Sequence, residues 1–354
     1  MKKTLCFLIQ GLLILSLWGC SATPESQHQA AVTPTPETTV AGQGNTPGNS
    51  MNEGYMAEGE FPYYFCVEKE GIMKINQETG EKTLYAKPEP EESFSYLNWA
   101  EGDLYALSEI PSTDLEYVRE RRIVRIQPSG ERQILAMPET QEPLSFSTAG
   151  GAIYALTGDA LLQISIKPEN YGETDILAEP GSALSRMTTG VPIANEESVY
   201  YIALNQQTGV GEDVTYRKLD APETQGSALT GMSITRFFVQ GNDLYAYEGG
   251  KDVYKIDLKT GEKQAMGFAD HSLEGFNVCE NEFYYIQRTG SLTNMEVYKK
   301  TDNGKDLLIY SIPPMKSEGM GGNAARPCKL YEIYGTLCVY DTAENQVLYT
   351  YQKN

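Results

Sequence analysis

The sequence predicts an all-β chain folded as a β-propeller, and three observations carry that prediction. A turn followed by an apolar-Tyr strand recurs seven times: Tyr63-Tyr64-Phe65, Leu104-Tyr105-Ala106, Ile153-Tyr154-Ala155, Val199-Tyr200-Tyr201, Leu244-Tyr245-Ala246, Phe283-Tyr284-Tyr285 and Leu337-Cys338-Val339. The anchors at 63, 105, 154, 200, 245, 284 and 338 lie 39 to 54 residues apart, the spacing of propeller blades or helical repeats. The segments are short, rich in Tyr, Ile and Val, and bounded by Gly, Asn, Asp and Pro, which selects strands over helices.

The chain begins with an export signal. Met1-Lys2-Lys3 is a short basic start, and residues 5–18 form a mostly apolar run too short for a comfortable span. It ends Leu17-Trp18-Gly19-Cys20-Ser21, which resembles a bacterial lipobox. The resemblance implies that Cys20 is lipidated and becomes the first residue of the mature chain. Loss of residues 1–19 removes two lysines and no acid, so the formal charge of −20 deepens to −22. Residues 20–58 are expected to form a disordered tether. Residues 21–50 contain no aromatic, Leu or Ile and are rich in Thr, Pro, Gln and Gly, so little apolar burial offsets the entropy of ordering them.

The propeller domain is assigned to residues 59–354, with repeats from 61 onward. In the second unit the order is readable: a first strand over 94–99, a turn at Glu101-Gly102-Asp103, the anchor strand, a third strand at Ile123-Val124-Arg125-Ile126, and a fourth at Gln133-Ile134-Leu135. The hairpin after the third strand repeats closely, as Lys74-Ile75-Asn76-Gln77-Glu78-Thr79-Gly80-Glu81-Lys82 and Lys255-Ile256-Asp257-Leu258-Lys259-Thr260-Gly261-Glu262-Lys263. Its Gly supplies the positive φ of a tight reversal. Four antiparallel strands per blade and seven anchors favour seven blades, with six the alternative. A propeller leaves exposed edges unless its ring closes. Residues near 52–60 are therefore expected to pair with the last blade and complete it.

The pattern at Val253-Tyr254-Lys255-Ile256-Asp257-Leu258-Lys259-Thr260-Gly261-Glu262 resembles the blades of quinoprotein-like (PQQ-like) propellers. It is also similar to lipoproteins of Gram-positive bacteria that carry a propeller domain of unknown function. The resemblance covers about residues 61–354 and implies the shape. The docking Trp of the quinone enzymes is missing: Tyr85, Leu135 or Met266 stands in that region, so no quinone, other cofactor or metal is expected.

Composition excludes further classes. With 28 Lys+Arg against 48 Asp+Glu, the chain repels phosphate backbones and is not a general nucleic-acid binder. It has two His, one of them, His28, in the tether, which leaves little for a His-rich zinc site or a His-based triad. His271, beside Asp270, reads as a loop residue before it reads as a general base. Glu89, Glu91 and Glu92 next to Pro88 and Pro90 read as a solvated loop. Asp302-Asn303-Gly304-Lys305-Asp306 reads as a hairpin turn, without the spacing of a calcium loop. Arg119, Arg121, Arg122 and Arg125 form the one basic cluster, beside Glu116 and Glu120, and read as mixed charge before an anion site. Cys66, Cys279, Cys328 and Cys338 are expected as buried thiols, with a disulfide the alternative in an exported protein. If Tyr334-Gly335 is a turn, Cys338 faces Tyr331 and not Cys328.

The 24 Tyr are expected mostly in the core, their rings between sheets and their hydroxyls at polar edges. Tyr117 and Tyr171 are candidates for stacking on a sugar or peptide. Ligand contacts are expected on the longer loops near 109–121, 205–213 and 313–325. The function expected is non-catalytic binding or scaffolding of a protein, peptide or glycan by a monomer held to the membrane through its lipid. No catalytic residue is assigned. The competing reading is an extracytoplasmic hydrolase or lyase with carboxylates in the central channel, and the channel lining discriminates the two.

Overall fold

In a computed structural model the described residues are 44–112, 119–138, 142–158, 160–178, 190–195, 197–204, 212–268, 273–290, 293–302, 304–316 and 322–353. They form seven antiparallel sheets arranged as the blades of a propeller, together with a small two-stranded hairpin of Met315–Lys316 and Asn323–Ala324. Six blades have four strands in sequential order, and the seventh has three. Seven is therefore the blade number, and six is excluded. Each of the seven anchors lies on the second strand of its blade, from Tyr63 in Tyr63–Glu68 to Cys338 in Thr336–Asp341.

Alternation in these strands is damped, because each middle strand is covered on both faces by neighbouring blades. Asp103–Pro111 begins with six buried residues in a row and Ala152–Thr157 is buried throughout. Tyr105, Tyr154, Tyr201, Tyr284, Tyr331 and Tyr340 are among the largest fully buried side chains, in line with the core reading of the Tyr excess. Between the fifth and sixth blades the packing is aromatic: Phe238 meets Phe276 at 5.8 Å, and Tyr245 stacks on Phe283 at 5.9 Å.

The turns follow the sequence chemistry. Asn76 Oδ1 accepts hydrogen bonds from the backbone N–H groups of Glu78 and Thr79, and Asp257 Oδ1 does the same for Lys259 and Thr260. Gly80 and Gly261 then close each hairpin at φ 71° and 73°.

Ring closure differs from the expectation. Met56–Glu58 is the first, innermost strand of the first blade, paired with Tyr63–Glu68, and does not join the last blade. The first and seventh blades meet face to face instead. Tyr340 donates its hydroxyl to Val67 O at 2.7 Å, and the Tyr334 hydroxyl lies between Gly59 O and Tyr63 O, at 2.9 and 2.8 Å, and shares its one proton between them. Around these bonds Met56, Cys66, Ile75, Tyr331, Ile333 and Cys338 pack as one apolar cluster. Closure thus rests on tyrosines that bury a ring and satisfy a backbone carbonyl of the opposite blade.

The domain start is also earlier than 59. Residues 44–54, composed of Gly, Asn, Thr, Pro, Ser, Met and Glu, were expected as the end of the tether but are built into the propeller. Thr46 caps a single helical turn, Pro47–Met51, with Pro in its first turn. The helix packs on the first strands of the fifth, sixth and seventh blades (Ile234–Gln240, Leu273–Cys279 and Cys328–Ile333). The segment occupies the axis of the ring.

Candidate functional site

The axial channel is the site on which the two functional readings part. The chain enters at Gly44, where a Cβ would lie 1.7 Å from Thr148 Oγ1 and 2.9 Å from Asn98 Cβ. Only Gly allows the backbone this close to the first strands of the second and third blades. Gly44 N donates to Thr148 O, and Trp99 N donates to Gly44 O. Above it three asparagines distribute amides around the ring. Asn45 Nδ2 donates to Met56 O and Leu97 O, and Asn52 Nδ2 donates to Phe276 O and Leu330 O. Asn49 donates to Glu332 O and accepts from Glu332 N, both at 2.7 Å.

The segment then turns at Glu53 and Gly54, with φ of 69° and 56°, and descends as the first strand of the first blade. Tyr96 and Leu97, at a bulge in the first strand of the second blade, give their N–H groups to Glu53 O and Gly54 O. The lining is therefore one of amides and backbone, from Asn45, Asn49, Asn52, Asn98, Thr148 and Asn277. Among the described residues no group of three or more His, Cys, Asp or Glu side chains is placed to hold a metal ion, and the axial space is filled by the protein itself.

The strand directions define two ends of this axis. At one end lie the turns from first to second strands, such as Glu101-Gly102, and Gly44 is near that end. At the other lie the connections between second and third strands and between blades. The described strands that flank the three candidate loops near 109–121, 205–213 and 313–325 meet those loops at this end: Asp103–Pro111 and Arg119–Ile126, Ser198–Leu204 and Glu212–Lys218, and Leu307–Ile312 and Cys328–Ile333. The stretches 113–118, 205–211 and 317–321 lie outside the described residues. A cavity of about 30 Å³, the room of one water, marks the axis at this end between Met51, Glu53, Val191, Phe237, Arg236 and Lys329. Lys329 pairs with Glu53 at 3.3 Å, Arg236 donates to Glu274 O at 2.7 Å, and Arg288 pairs with Glu274 at 2.6 Å.

A larger polar cleft of about 420 Å³ opens at the opposite end on the third blade, lined by Gly151, Gln163, Lys167, Asn170, Glu173 and Asp175 among others. Its amides, lysine and carboxylates can hydrogen-bond a polar ligand.

The other candidates resolve as follows. Arg119, Arg121, Arg122 and Arg125 share the third strand of the second blade, Arg119–Ile126, and each meets a carboxylate. Glu109 takes Arg119 and Arg121 at 2.7 and 2.8 Å, Glu89 takes Arg122 at 3.5 Å, and Asp103 takes Arg125 at 2.5 Å. Tyr171 is half-buried under the Arg125 guanidinium, at 4.9 Å. Glu92 corrects the solvated-loop reading: it is buried and accepts from Ser108 Oγ, Arg132 and Glu89 N. Partial burial pushes its carboxyl up, but those bonds outweigh it and hold the group below its ordinary value. Asp306 similarly accepts from Tyr285 at 2.7 Å and Lys300 at 3.3 Å, so its turn carries structural charge.

Cys66, Cys279, Cys328 and Cys338 are all free and buried, and Cys338 sits opposite Tyr331 in the strand register. Burial pushes all four thiols up, to about 12 for Cys328 and Cys338, which leaves almost no thiolate at neutral pH. Cys20, Tyr117, Asp270, His271 and Asn303 lie outside the described residues.

Solved structures share the architecture. Kluyveromyces lactis Hsv2 superimposes with a TM-score of 0.51 at 10% identity, over 84% of this chain and 98% of that one. A chain of the mitotic checkpoint complex gives 0.50 at 11% identity, over 96% and 99%. An oligogalacturonate lyase from Vibrio parahaemolyticus gives 0.46 at 9%, over 71% and 75%. The likeness is one of fold. No protein-family model matches the chain, and no curated protein matches it.

The axial segment is what the sequence reading missed. Its signal was available in retrospect: Asn45, Asn49 and Asn52 recur at spacings of four and three, the spacing that puts side chains on one face of a helical turn.

Proposed function

We propose that this chain is an envelope lipoprotein, anchored through Cys20, whose propeller binds or scaffolds a protein, peptide or glycan without catalysis. One observation carries the non-catalytic part: the axis is filled by residues 44–54, whose amides bond the first strands around it. A substrate would have to displace that segment and leave buried amides unpaired, each at about 1–3 kcal/mol. Binding then falls to the outer surfaces. The anchoring part rests on the basic start, the apolar run and Leu17-Trp18-Gly19-Cys20. No helix among the described residues is long and apolar enough to cross a membrane, and the quinoprotein-like blade pattern remains part of this proposal.

The experiment is labelled-lipid incorporation and crosslinked capture on the same cells. Cys20→Ala abolishes labelling and releases the protein, and the wild type yields a reproducible partner or glycan. Capture of lipids alone, or turnover of a polysaccharide or peptide by the purified chain, overturns the reading.

A further inference from the structure

Among the described residues the seventh blade has three strands. Its order is Cys328–Ile333, Thr336–Asp341 and Gln346–Gln352, and among the described residues nothing pairs with the outer edge of Gln346–Gln352. The other six blades each carry a fourth strand at that place. Four of those six end the sheet with a charged residue in the strand, namely Lys82, Arg132, Asp175 and Lys263, a common way to blunt an edge. Gln346-Val347-Leu348-Tyr349-Thr350-Tyr351-Gln352 has seven residues, no charge, no Pro and no Gly. Val347, Leu348, Tyr349 and Tyr351 are half-buried. Beside it the sixth blade's fourth strand, Leu307–Ile312, is also uncharged, exposes Leu307 and Leu308, and stacks Tyr310 on Tyr349 at 4.4 Å. Among the described residues this fourth-strand position thus has an unpaired backbone on one side and an apolar, aromatic wall on the other.

We propose that this edge receives an extended segment of another protein, neutral to basic and rich in β-branched or aromatic residues, which adds as the blade's fourth strand antiparallel to Gln346–Gln352. Strand addition takes affinity from main-chain hydrogen bonds and selectivity from alternate side chains. Two other occupants are disfavoured. Gly44 lies at the end of the axis where Gln346–Gln352 finishes, so a strand leading directly into it would run parallel to Gln346–Gln352, against the antiparallel order of every blade. A second copy brings another chain of net charge −20, which opposes self-association and favours a basic partner. The inference rests on the binding reading above and specifies one partner for it. Failure at this edge leaves binding elsewhere on the propeller intact.

The test is hydrogen exchange on the full chain in detergent, alone and with six lysine-flanked peptides copying its own fourth strands. The amides of 346–352 exchange quickly in the free chain, and at least one peptide slows them 10-fold or more without slowing other blades. The same peptide N-methylated on one alternate set of amides binds at least 10-fold more weakly, whereas methylation of the other set changes little. Slow exchange in the free monomer, no protection by any of the six, equal binding by both methylated forms, or a dimer that no peptide dissociates would each overturn the proposal.

Discussion

Asn277, on the first strand of the sixth blade, donates its Nδ2 to Asn49 Oδ1 at 2.9 Å across 228 residues of sequence. The same Nδ2 reaches Leu330 O of the seventh blade at 3.0 Å. One axial amide therefore holds two blades in register, while Asn49 Nδ2 adds Glu332 O and Asn45 Oδ1. Asn49→Ala removes its bonds to Asn277, Glu332 O and Asn45 and the one its Oδ1 accepts from Glu332 N, and strands buried partners. We expect a loss of about 2–4 kcal/mol in denaturant unfolding. A loss under about 0.5 kcal/mol would mean that the axial segment does not hold the ring.

Gly48 tests the fit of the same segment. A Cβ there would lie 1.8 Å from Asn277 Oδ1, and that amide is held by its own bonds. Gly48→Ala is expected to cost about 1–3 kcal/mol. Adding Asn277→Ala removes the obstacle, so the double variant should lose less than the sum of the single losses. Strict additivity in a double-mutant cycle would argue that the two residues do not touch.

These axial bonds also explain what was legible in the sequence. The anchors from Tyr63 to Cys338 predicted the blade number because burial between sheets leaves a compositional trace. The hairpins after Lys74 and Lys255 were legible for a local reason, since Asn76 or Asp257 and the following Gly define the turn by themselves. Residues 44–54 left neither trace. Their order comes largely from amides bonding backbone that is 52 to 283 positions away, and a run of Gly, Asn, Ser and Thr reads the same in a stalk. Arg119 and Glu92 show the same limit: the charges were visible, but their partners were fixed only by blade register.

Two carboxylates should respond to pH in opposite directions. Burial of Glu58 between the first and seventh blades raises its carboxyl to about 7, against a smaller lowering by the Tyr334 N–H. A raised carboxyl folds preferentially protonated, so stability is lost as pH rises from about 4.5 to about 7. Glu58→Gln should therefore gain on the wild type at pH 8 relative to pH 4.5. Glu282 is pushed up by burial but held at about 2 by Lys299, Lys353 and Tyr284. Its contribution is present above about 4.5 and lost as pH falls toward 2. Glu282→Gln should cost stability at pH 6 and little at pH 2.5. Unfolding curves across that range check both signs, and parallel pH profiles for the two variants and the wild type would refute the assignments.

The thiols give the last prediction, which bears on compartment as well as packing. Cys66 and Cys338 share one apolar cluster at the ring closure, and Cys279 and Cys328 share another with Tyr284, Leu330 and Val339. Each thiol is buried and free, with its acidity suppressed by burial, so attack by a thiol reagent must wait for the blades to open. In the chain with Cys20→Ser and the signal removed, a maleimide should label no cysteine in native buffer over minutes and all four in denaturant, with mass spectrometry counting the adducts. Reducing agent should not shift the unfolding midpoint, because no disulfide contributes to it. Fast native labelling of Cys66 or Cys338 would show that the first and seventh blades part readily, and that the tyrosine hydrogen bonds to Val67, Gly59 and Tyr63 do not by themselves hold the ring shut.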